Sequence, residues 1–386
     1  MITCSIVYEW MYPMLTVYLT VFFMGTIFAI VSQNRKTGTV RLIPFLLSFF
    51  TLWIPISFSD NGIDYYNYIV IIKSISWNNY LNFSYSESGF NLFCLLLNDL
   101  THNEHIPLFV IKTLTLIFFY SALYRMRYHL KIWQCVATYL LLVYLPSFYL
   151  ISICFTSSIV YYAFSIYYFG KSKWKTQISV ILVFIAGYFH NSAFIFFPVY
   201  ILCLLYDGAF GQTFRLKNKI LIFIIAVLLI LTSSFIFQFS ISNIESFHYQ
   251  NYKGNSFEGS GIMVIFKYGL LFFIYFLAYK TFYDRRLLNW FFIMIVFSCV
   301  FFVLSYSFRV IERMEFYTML DYIILIPLLL QSVHKTGVLN KNNYLSFKFL
   351  YLIYILMIGI SVVQGRTGKH VDMDIYRFLN IFNCTT

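Results

Sequence analysis

Long apolar stretches alternate with short polar segments along almost the whole chain. Between Lys131 and Lys171 lies an almost uncharged stretch of 39 residues, which as one helix would be about 58 Å long, roughly twice the hydrocarbon core of a bilayer. It must fold back, and the turn is predicted at Pro146–Ser152. A second break is predicted at Gly187–Ser192. With these two breaks the pattern predicts about twelve membrane spans. The remaining spans are predicted at about 12–33, 42–58, 106–124, 220–238, 264–279, 289–306, 317–333 and 347–363.

The charges lie on alternate sides of these spans. Of the 27 Lys and Arg residues, 18 fall in six clusters of three, between long apolar stretches. Only Asp207 and Asp284 of the 15 acidic residues lie in or beside a cluster. Short cytoplasmic loops retain Lys and Arg, so the clusters are predicted inside and both termini outside. The clusters are Arg35, Lys36 and Arg41; Arg125, Arg127 and Lys131; Lys171, Lys173 and Lys175; Arg215, Lys217 and Lys219; Lys280, Arg285 and Arg286; and Lys335, Lys341 and Lys348.

The external segments are predicted at 59–105, 239–263 and 307–316, with an external tail at 364–386. Within the first of them, the apolar run Leu92–Leu97 is too short to span and is predicted to be re-entrant or interfacial.

Composition agrees with a membrane protein. The chain is 60% hydrophobic and 11% charged, with a mean hydropathy of +0.75, whereas soluble domains carry about 25% charged residues. We expect an all-α, polytopic integral membrane protein with residues 1–386 in a single membrane domain. The net charge of +12 is accounted for by the cytoplasmic loops, so no nucleic-acid partner is expected. Sequence motifs of soluble enzymes are absent, and the only indication of a metal site is a weak His-x-x-His motif at His102 and His105.

The first external segment carries candidate acid–base chemistry. Asp64 and Glu87 are carboxylates that could accept a proton from a sugar hydroxyl. Tyr65 and Tyr68 would offer stacking faces to a sugar ring. The alternative is an acidic, aromatic loop that only solvates the membrane surface.

His190 and Lys112 are polar residues within apolar segments. His190, at the second predicted break, could bond a backbone carbonyl at a helix end. Alternatively its imidazole could donate to a phosphate or activate a hydroxyl near neutral pH. Lys112 lies near an external helix end and is expected to extend its amine toward the interface.

Two arginines stand in the third external segment, against the inward bias of basic residues. Arg309 and Arg313 are four residues apart and are expected to share one helical face. Guanidinium groups bind phosphates in a bidentate manner, which favours a phosphate site. Pairing with Glu312 and Glu315 is the alternative interpretation.

Four short motifs, in this order along residues 60–320, resemble the landmarks of the EpsG/Wzy family of bacterial polysaccharide polymerases. Members often carry an Arg in the turn after the fourth span, whereas residues 151–158 here contain no basic residue. The resemblance implies a membrane glycosyltransferase with a GT-C-like architecture. The motifs are Asp64-Tyr-Tyr-Asn-Tyr68, Glu87-Ser-Gly89-Phe90, Phe189-His190-Asn-Ser192-Ala193 and Arg313-Met-Glu-Phe-Tyr317.

The resemblance also implies a reaction. The enzyme would move the growing glycan from undecaprenyl diphosphate to a new lipid-linked repeat unit, at the outer face of the bacterial inner membrane and with inversion. Arg313 with Arg309 would stabilise the departing diphosphate, and Asp64 or Glu87 would take the acceptor proton. No cofactor is expected, and no metal is required if two guanidinium groups neutralise the leaving group.

Further site residues and partners follow from the same resemblance. His190 is expected to be catalytic, and Tyr65, Tyr68 and Tyr317 to bind substrate. Partners would be the lipid-linked glycans, membrane lipids, and a chain-length regulator and flippase of the same pathway.

Three other functions remain open from the sequence. A lipid-linked oligosaccharide flippase would suit twelve spans, but the middles of the spans are nearly free of the cations expected in its cavity. An O-antigen ligase would use similar substrates. A membrane acyltransferase would be expected to show a catalytic His or Ser constellation, of which only His190 is visible.

Overall fold

A computed structural model describes residues 10–34, 37–81, 86–207, 261–281, 285–305, 309–336 and 375–378, with isolated residues between 345 and 356. These described residues are 82% helical, which confirms the mainly helical prediction. The chain forms two compact units, which we describe separately. Unit 1 comprises Met1–Asn191 and Phe349–Thr386, and unit 2 comprises Ser192–Lys348. A single membrane domain stays a prediction.

Unit 1 is built mainly from α-helices, with one short strand near each end of its sequence. Its elements in chain order are β1 (Trp10–Pro13), α1 (Met14–Ser32), α2 (Leu42–Ser57), α3 (Ile63–Ser74), α4 (Ser88–Thr101), α5 (His105–Met126), α6 (Ile132–Tyr139), α7 (Ile151–Phe169), α8 (Lys175–Phe189) and β2 (Ile375–Phe378).

Both predicted breaks in the apolar stretches are present. After α6 the chain continues as a π-helical turn, Leu140–Tyr144, and a 3₁₀ turn, Pro146–Phe148, before α7 begins. Pro146 lacks the N–H that a continuing helix needs, which explains why the helix cannot run on. The second break is at His190, whose extended backbone (φ −158°, ψ 120°) ends α8.

The basic connections lie together at one end of unit 1. The side-chain amide of Gln33 donates to the carbonyl oxygens of Arg127 and Leu130, and its oxygen accepts from the N–H of Ile132. The rings of His129 and Phe169 are 4.6 Å apart. These contacts bring the connections after α1, α5 and α7 together, so the segments predicted to be external lie at the other helix ends. Which membrane face each end occupies stays a prediction.

Three of the described helices are long and apolar enough to cross a membrane: α1, α5 and α7. Shorter apolar helices occupy Leu42–Ser57, Ile132–Tyr144, Lys175–Phe189, Asn191–Tyr206 and Arg286–Phe302. The count of about twelve spans and the GT-C-like architecture therefore stay predictions. The predicted span at 220–238, most of the segment at 239–263, most of the last span and most of the tail at 364–386 lie outside the described residues.

A small antiparallel ribbon, which the sequence did not predict, joins β1 to β2. Arg377 of β2 donates from Nε to Asp60 Oδ1 (3.2 Å) and from its backbone N–H to Asn61 Oδ1 (3.0 Å). Tyr66 donates to the other oxygen of Asp60 (2.7 Å). Asp60 is completely buried, so the ribbon is tied to unit 1 by a buried ion pair.

Unit 2 contains α9 (Asn191–Tyr206, which begins at the boundary), α10 (Gly261–Thr281), α11 (Arg285–Ser305), α12 (Glu315–Thr318) and α13 (Ile326–Thr336). Between α11 and α12 lies a 3₁₀ helix, Arg309–Met314, within the predicted external segment 307–316. A π-helical turn, Asp321–Leu325, links α12 toward α13, so the predicted span at 317–333 is made of three helical pieces.

Candidate active site

Glu87 and His190, predicted separately from two motifs, are in direct contact in unit 1. Glu87 Oε1 lies 2.8 Å from His190 Nδ1, and the two side chains are only 16% and 12% exposed. The backbone N–H of Asn191 donates to the same carboxylate oxygen over 3.1 Å. Glu87 directly precedes α4 and His190 directly follows α8, so the contact joins the ends of two helices. The result is a partly buried carboxylate–imidazole pair.

Backbone packing holds these two helix ends together. A Cβ added to Gly89 would lie 2.6 Å from the carbonyl oxygen of Tyr188, closer than any side chain allows. The rings of Phe93 and Phe189 pack at 5.7 Å beside this crossing. Gly89 is therefore needed because the first turn of α4 meets the last turn of α8 backbone to backbone.

A buried amide fixes the segment that carries Glu87. Asn91 donates to the carbonyl oxygens of Tyr80 (3.0 Å) and Ser86 (3.1 Å), and its own oxygen accepts from the Ser86 hydroxyl. Asn91 is fully buried, so the connection that leads into α4 is anchored by one side chain.

Glu87 carries its charge at neutral pH. Burial by itself raises the pKa of this carboxyl group, but the charge and hydrogen bond of His190, with the N–H of Asn191, outweigh burial and lower the pKa below its ordinary value of 4.5. A carboxylate at this place accepts a hydrogen bond from Nδ1–H of the imidazole. The lone pair of the neutral ring is then on Nε2, which is the nitrogen able to accept a proton from a hydroxyl.

Two hydroxyl groups extend the pair. Ser152 Oγ lies 3.4 Å from His190 Nδ1 and 3.3 Å from the hydroxyl of Tyr68. Tyr68 was predicted as a substrate-binding residue, whereas Ser152 was not predicted as part of the site. The sequence indicated only that Ser152 lies in the predicted turn before α7. That turn is at the helix end predicted to be external.

The arrangement differs from a nucleophilic serine triad. In such a triad the serine and the carboxylate bond opposite nitrogens of the histidine. Here Ser152 and Glu87 both meet Nδ1. The geometry therefore does not activate Ser152 as a nucleophile, which argues against the acyltransferase alternative.

The other predicted residues of unit 1 lie on α3. Asp64 is partly buried and accepts from the side-chain amide of Asn67 (3.5 Å). Tyr65 is 2% exposed, bonds His105 Nδ1 (2.8 Å), and has Lys112 Nζ 4.8 Å from its ring centroid. The roles of Asp64 in proton transfer and of Tyr65 in sugar binding stay predictions.

The expected interfacial position of Lys112 is wrong. Lys112 is 1% exposed, and its amine donates to the carbonyl oxygen of Ser59 (2.8 Å). The aromatic face of Tyr65 and this carbonyl hold the ammonium inside the unit, because a buried cation needs such partners.

Unit 2 contains the remaining predicted residues. Tyr317 is fully buried, bonds Ser192 through the two hydroxyls (2.8 Å), and stacks on Phe196 at 5.1 Å. Arg313 is partly buried, and the side chain of Arg309 lies outside the described part of the chain. The phosphate roles of both arginines stay predictions.

One geometric expectation for the two arginines is corrected. They lie on a 3₁₀ helix, which has three residues per turn. Residues four apart are then about 120° apart around the axis, and residues three apart share a face. The two arginines therefore do not share one helical face.

No cluster of three or more His, Cys, Asp or Glu side chains that could hold a metal ion occurs among the described residues. His105, from the weak His102/His105 motif, is hydrogen-bonded to Tyr65 instead. The predicted metal independence of the reaction stays a prediction.

Comparison with known proteins identifies the family. No curated protein and no solved structure matches the chain. The EpsG family model matches residues 42–369, a range that includes Asp64, Glu87, His190 and Arg313 but neither β1 nor β2. Since this match covers most of the chain, the protein belongs to the EpsG family.

Proposed function

We propose that the protein polymerises lipid-linked oligosaccharide repeat units by glycosyl transfer. Membership of the EpsG family supports a role of the polysaccharide polymerase type, and the apolar helices support a membrane location. The observation that carries the chemistry is the 2.8 Å contact between Glu87 Oε1 and His190 Nδ1. A glycosyl transfer to a sugar hydroxyl needs a group that removes the hydroxyl proton, and this pair supplies one.

The proposed step joins two substrates that are both anchored in the bilayer. The acceptor hydroxyl oxygen attacks C1 of the donor glycan, while its proton passes to Nε2 of His190. The bond between C1 and the diphosphate oxygen breaks, and the electron pair leaves with undecaprenyl diphosphate. Attack opposite the leaving group inverts C1. Glu87 stabilises the imidazolium that forms, in the way a buried carboxylate supports a catalytic histidine.

The other predicted residues keep the roles expected from the sequence. Arg313, assisted by Arg309, stabilises the charge on the departing diphosphate. Asp64 binds a sugar hydroxyl or serves as the alternative proton acceptor. Tyr68 contacts the glycan, and glycan binding by Tyr317, which is fully buried, stays a prediction.

The proposed setting is the outer face of the bacterial inner membrane, with both termini on that side. The β1–β2 ribbon and the Asp60–Arg377 pair support a common side for the two strands and the first predicted external segment. A flippase that delivers repeat units and a regulator of chain length are the proposed protein partners.

A deletion strain distinguishes the candidate functions. Complementation with the wild-type protein should restore long glycan chains, and the deletion should leave single repeat units on the final acceptor. A flippase or ligase defect would instead leave no repeat units there. Glu87→Gln and His190→Asn should each behave like the deletion at normal protein levels.

Glu104→Gln is the matched control for this experiment. Glu104 lies in the same predicted external segment, but it pairs with Lys73 (2.8 Å) and not with the site. It should support normal chains. Long chains from both Glu87→Gln and His190→Asn would overturn the proposed mechanism.

A further inference from the structure

We infer that Asp321 of unit 2 is a buried proton-binding site, and that the proton on its carboxyl group keeps the π-helical turn Asp321–Leu325 closed. Asp321 takes no part in the proposed glycosyl transfer, and it lies in a different unit from Glu87 and His190. The site therefore goes beyond the proposed function.

The carboxyl group of Asp321 is isolated. Asp321 is completely buried, and neither of its oxygen atoms accepts a hydrogen bond from any residue that the structure describes. A carboxylate only accepts hydrogen bonds, and in a dry interior it needs donors or a cation. Without such partners the charged form is so costly that the group keeps its proton instead.

The ionisable groups on the adjoining helices do not supply the missing partner. Cys203 of α9 interacts electrostatically with Asp321, but its buried thiol is not a cation. Arg286 of α11 is 51% exposed and pairs with Asp207 (4.0 Å). The remaining charged residues of the neighbouring elements are Arg285 at the start of α11, Glu315 at the start of α12, and His334 and Lys335 in the last turn of α13.

A second buried aspartate, in unit 1, shows the partners that a carboxylate needs. Asp60 is as completely buried as Asp321. Asp60 accepts hydrogen bonds from Arg377 Nε (3.2 Å) and from the hydroxyl of Tyr66 (2.7 Å). Because the two aspartates have the same exposure, their partners and not their burial distinguish an ion-paired carboxylate from a neutral acid.

The backbone around Asp321 suits the neutral acid. Asp321 is the first residue of the π-helical turn between α12 and α13. Where hydrogen bonds change from α-helical to π-helical spacing, a backbone carbonyl group loses its usual partner, and such turns are frequent at functional sites. A protonated carboxyl group can donate its O–H to a carbonyl oxygen, whereas a carboxylate cannot. The bound proton therefore stabilises the turn.

The turn is linked by the chain to residues of the proposed reaction. It follows α12, which carries Tyr317, and Arg313 lies in the 3₁₀ helix directly before α12. Transfer of the proton to water would leave an anion that the interior does not stabilise, so the turn must open before the proton leaves. Ionisable side chains inside membrane spans are rare and mark functional positions, and Asp321 lies in the predicted span 317–333.

Infrared spectroscopy of the full-length protein in nanodiscs tests the protonation state. At neutral pH, the difference spectrum between wild type and Asp321→Asn should contain the C=O band of a protonated carboxyl group, which should shift in D₂O. The matched difference for Asp60→Asn should contain carboxylate bands instead. Asp321→Glu should retain a protonated band at a shifted frequency, which assigns the signal even if the Asn variant does not fold. A carboxylate signal for Asp321, or no carboxyl band, would overturn the inference.

Melting of the same variants gives an independent test. Asn has the shape of a neutral aspartic acid, so Asp321→Asn should change the melting temperature little. Asp60→Asn removes the anion that Arg377 needs and should lower the melting temperature by several degrees. An equal fall in both variants would mean that Asp321 acts as a paired anion and would overturn the inference. A stabilisation by sodium ions that Asp321→Asn abolishes would overturn it as well.

Amide hydrogen exchange tests whether the proton holds the turn. Exchange in Asp321–Leu325 should be as slow in Asp321→Asn as in wild type. It should be about fivefold faster in Asp321→Ala, which has no group to bond the carbonyl oxygen. Equally slow exchange in the Ala variant would overturn the role of the proton in closing the turn. None of these measurements depends on polymerisation, so their failure is distinguishable from failure of the proposed function.

Discussion

Glu87 Oε1 and His190 Nδ1 are 2.8 Å apart, although α4 to α8 separate the two residues along the chain. The contact brings the Glu87 motif and the His190 motif together in the fold. Gly89 of the first motif lets α4 approach the backbone at Tyr188, just before His190 of the second motif. The glycine and the two functional side chains therefore form one structural unit.

The glycine contact leads to a first prediction. Gly89→Ala would place a methyl group 2.6 Å from the Tyr188 carbonyl oxygen, so α4 must move away from α8. We expect a loss of polymerisation of at least about tenfold and a loss of stability of about 1–3 kcal/mol. Chain length in the deletion strain and thermal melting of purified protein measure both effects.

Gly269→Ala is the control for this substitution. A Cβ at Gly269 of α10 would meet nothing within 4 Å. Because Ala is about 1 kcal/mol better than Gly inside a helix, this variant should be as stable as the wild type or more so. If the two variants behave alike, the close helix contact is not needed for the site.

The carboxylate of Glu87 makes stability depend on pH. Burial raises its pKa, but the partners His190 and Asn191 lower it more, to below 4.5. The unfolded chain therefore binds this proton at a higher pH than the folded protein. The stabilisation is complete above pH 4.5 and is lost as the pH falls through the folded pKa. The melting temperatures of the wild type and Glu87→Gln are compared from about pH 7 to about pH 3. The difference between the two proteins should shrink below pH 4.5. A difference in melting temperature that stays constant would contradict the pairing of Glu87 with His190.

Two ion pairs of unit 1 should differ strongly in their contribution to stability. Arg377→Ala removes the cation that is paired with the buried carboxylate of Asp60, which costs about 3 kcal/mol or more. Lys73, which pairs with Glu104, is 60% exposed. Lys73→Ala should therefore lower the free energy of unfolding by less than about 1 kcal/mol. Thermal or denaturant unfolding of the two variants tests this, and equal losses would mean that the ribbon is not anchored through Asp60.

The phosphate role of Arg313 gives a prediction in unit 2. A planar guanidinium can hold two diphosphate oxygens, whereas Lys presents a single point charge. Arg313→Lys should therefore remain folded but polymerise about 10²–10³-fold more slowly, with Arg313→Ala worse and Arg309 substitutions milder. The assay is long-chain polymer made by equal amounts of each variant. If Arg313→Lys suffices and Glu315→Gln is equally harmful, the arginine serves a structural pair instead.

The mainly helical fold and both breaks could be predicted from the sequence, because they depend on hydrophobic length and on residues such as Pro146. Glu87 was identified as a carboxylate of the first external segment, and His190 as an imidazole at the second predicted break. Their contact could not be predicted, since it depends on how α4 crosses α8.

Other features escaped prediction for identifiable physical reasons. Ser152 is a common residue in helices and becomes informative only through its neighbours His190 and Tyr68. Lys112 has the sequence position of an interfacial lysine, but the carbonyl of Ser59 and the ring of Tyr65 provide a buried site for it. The 3₁₀ geometry around Arg313 changes which residues share a face, and spacing alone cannot distinguish it from an α-helix.

The most direct test of the central claim is a double-mutant cycle on Glu87 and His190, with polymerisation rates from purified wild type, Glu87→Gln, His190→Asn and the double variant. If the two side chains act as one proton-accepting unit, His190→Asn should cost about 10²–10⁴-fold, and Glu87→Gln should add little in the double variant. Losses that multiply, or a His190→Asn variant with normal turnover, would contradict the account.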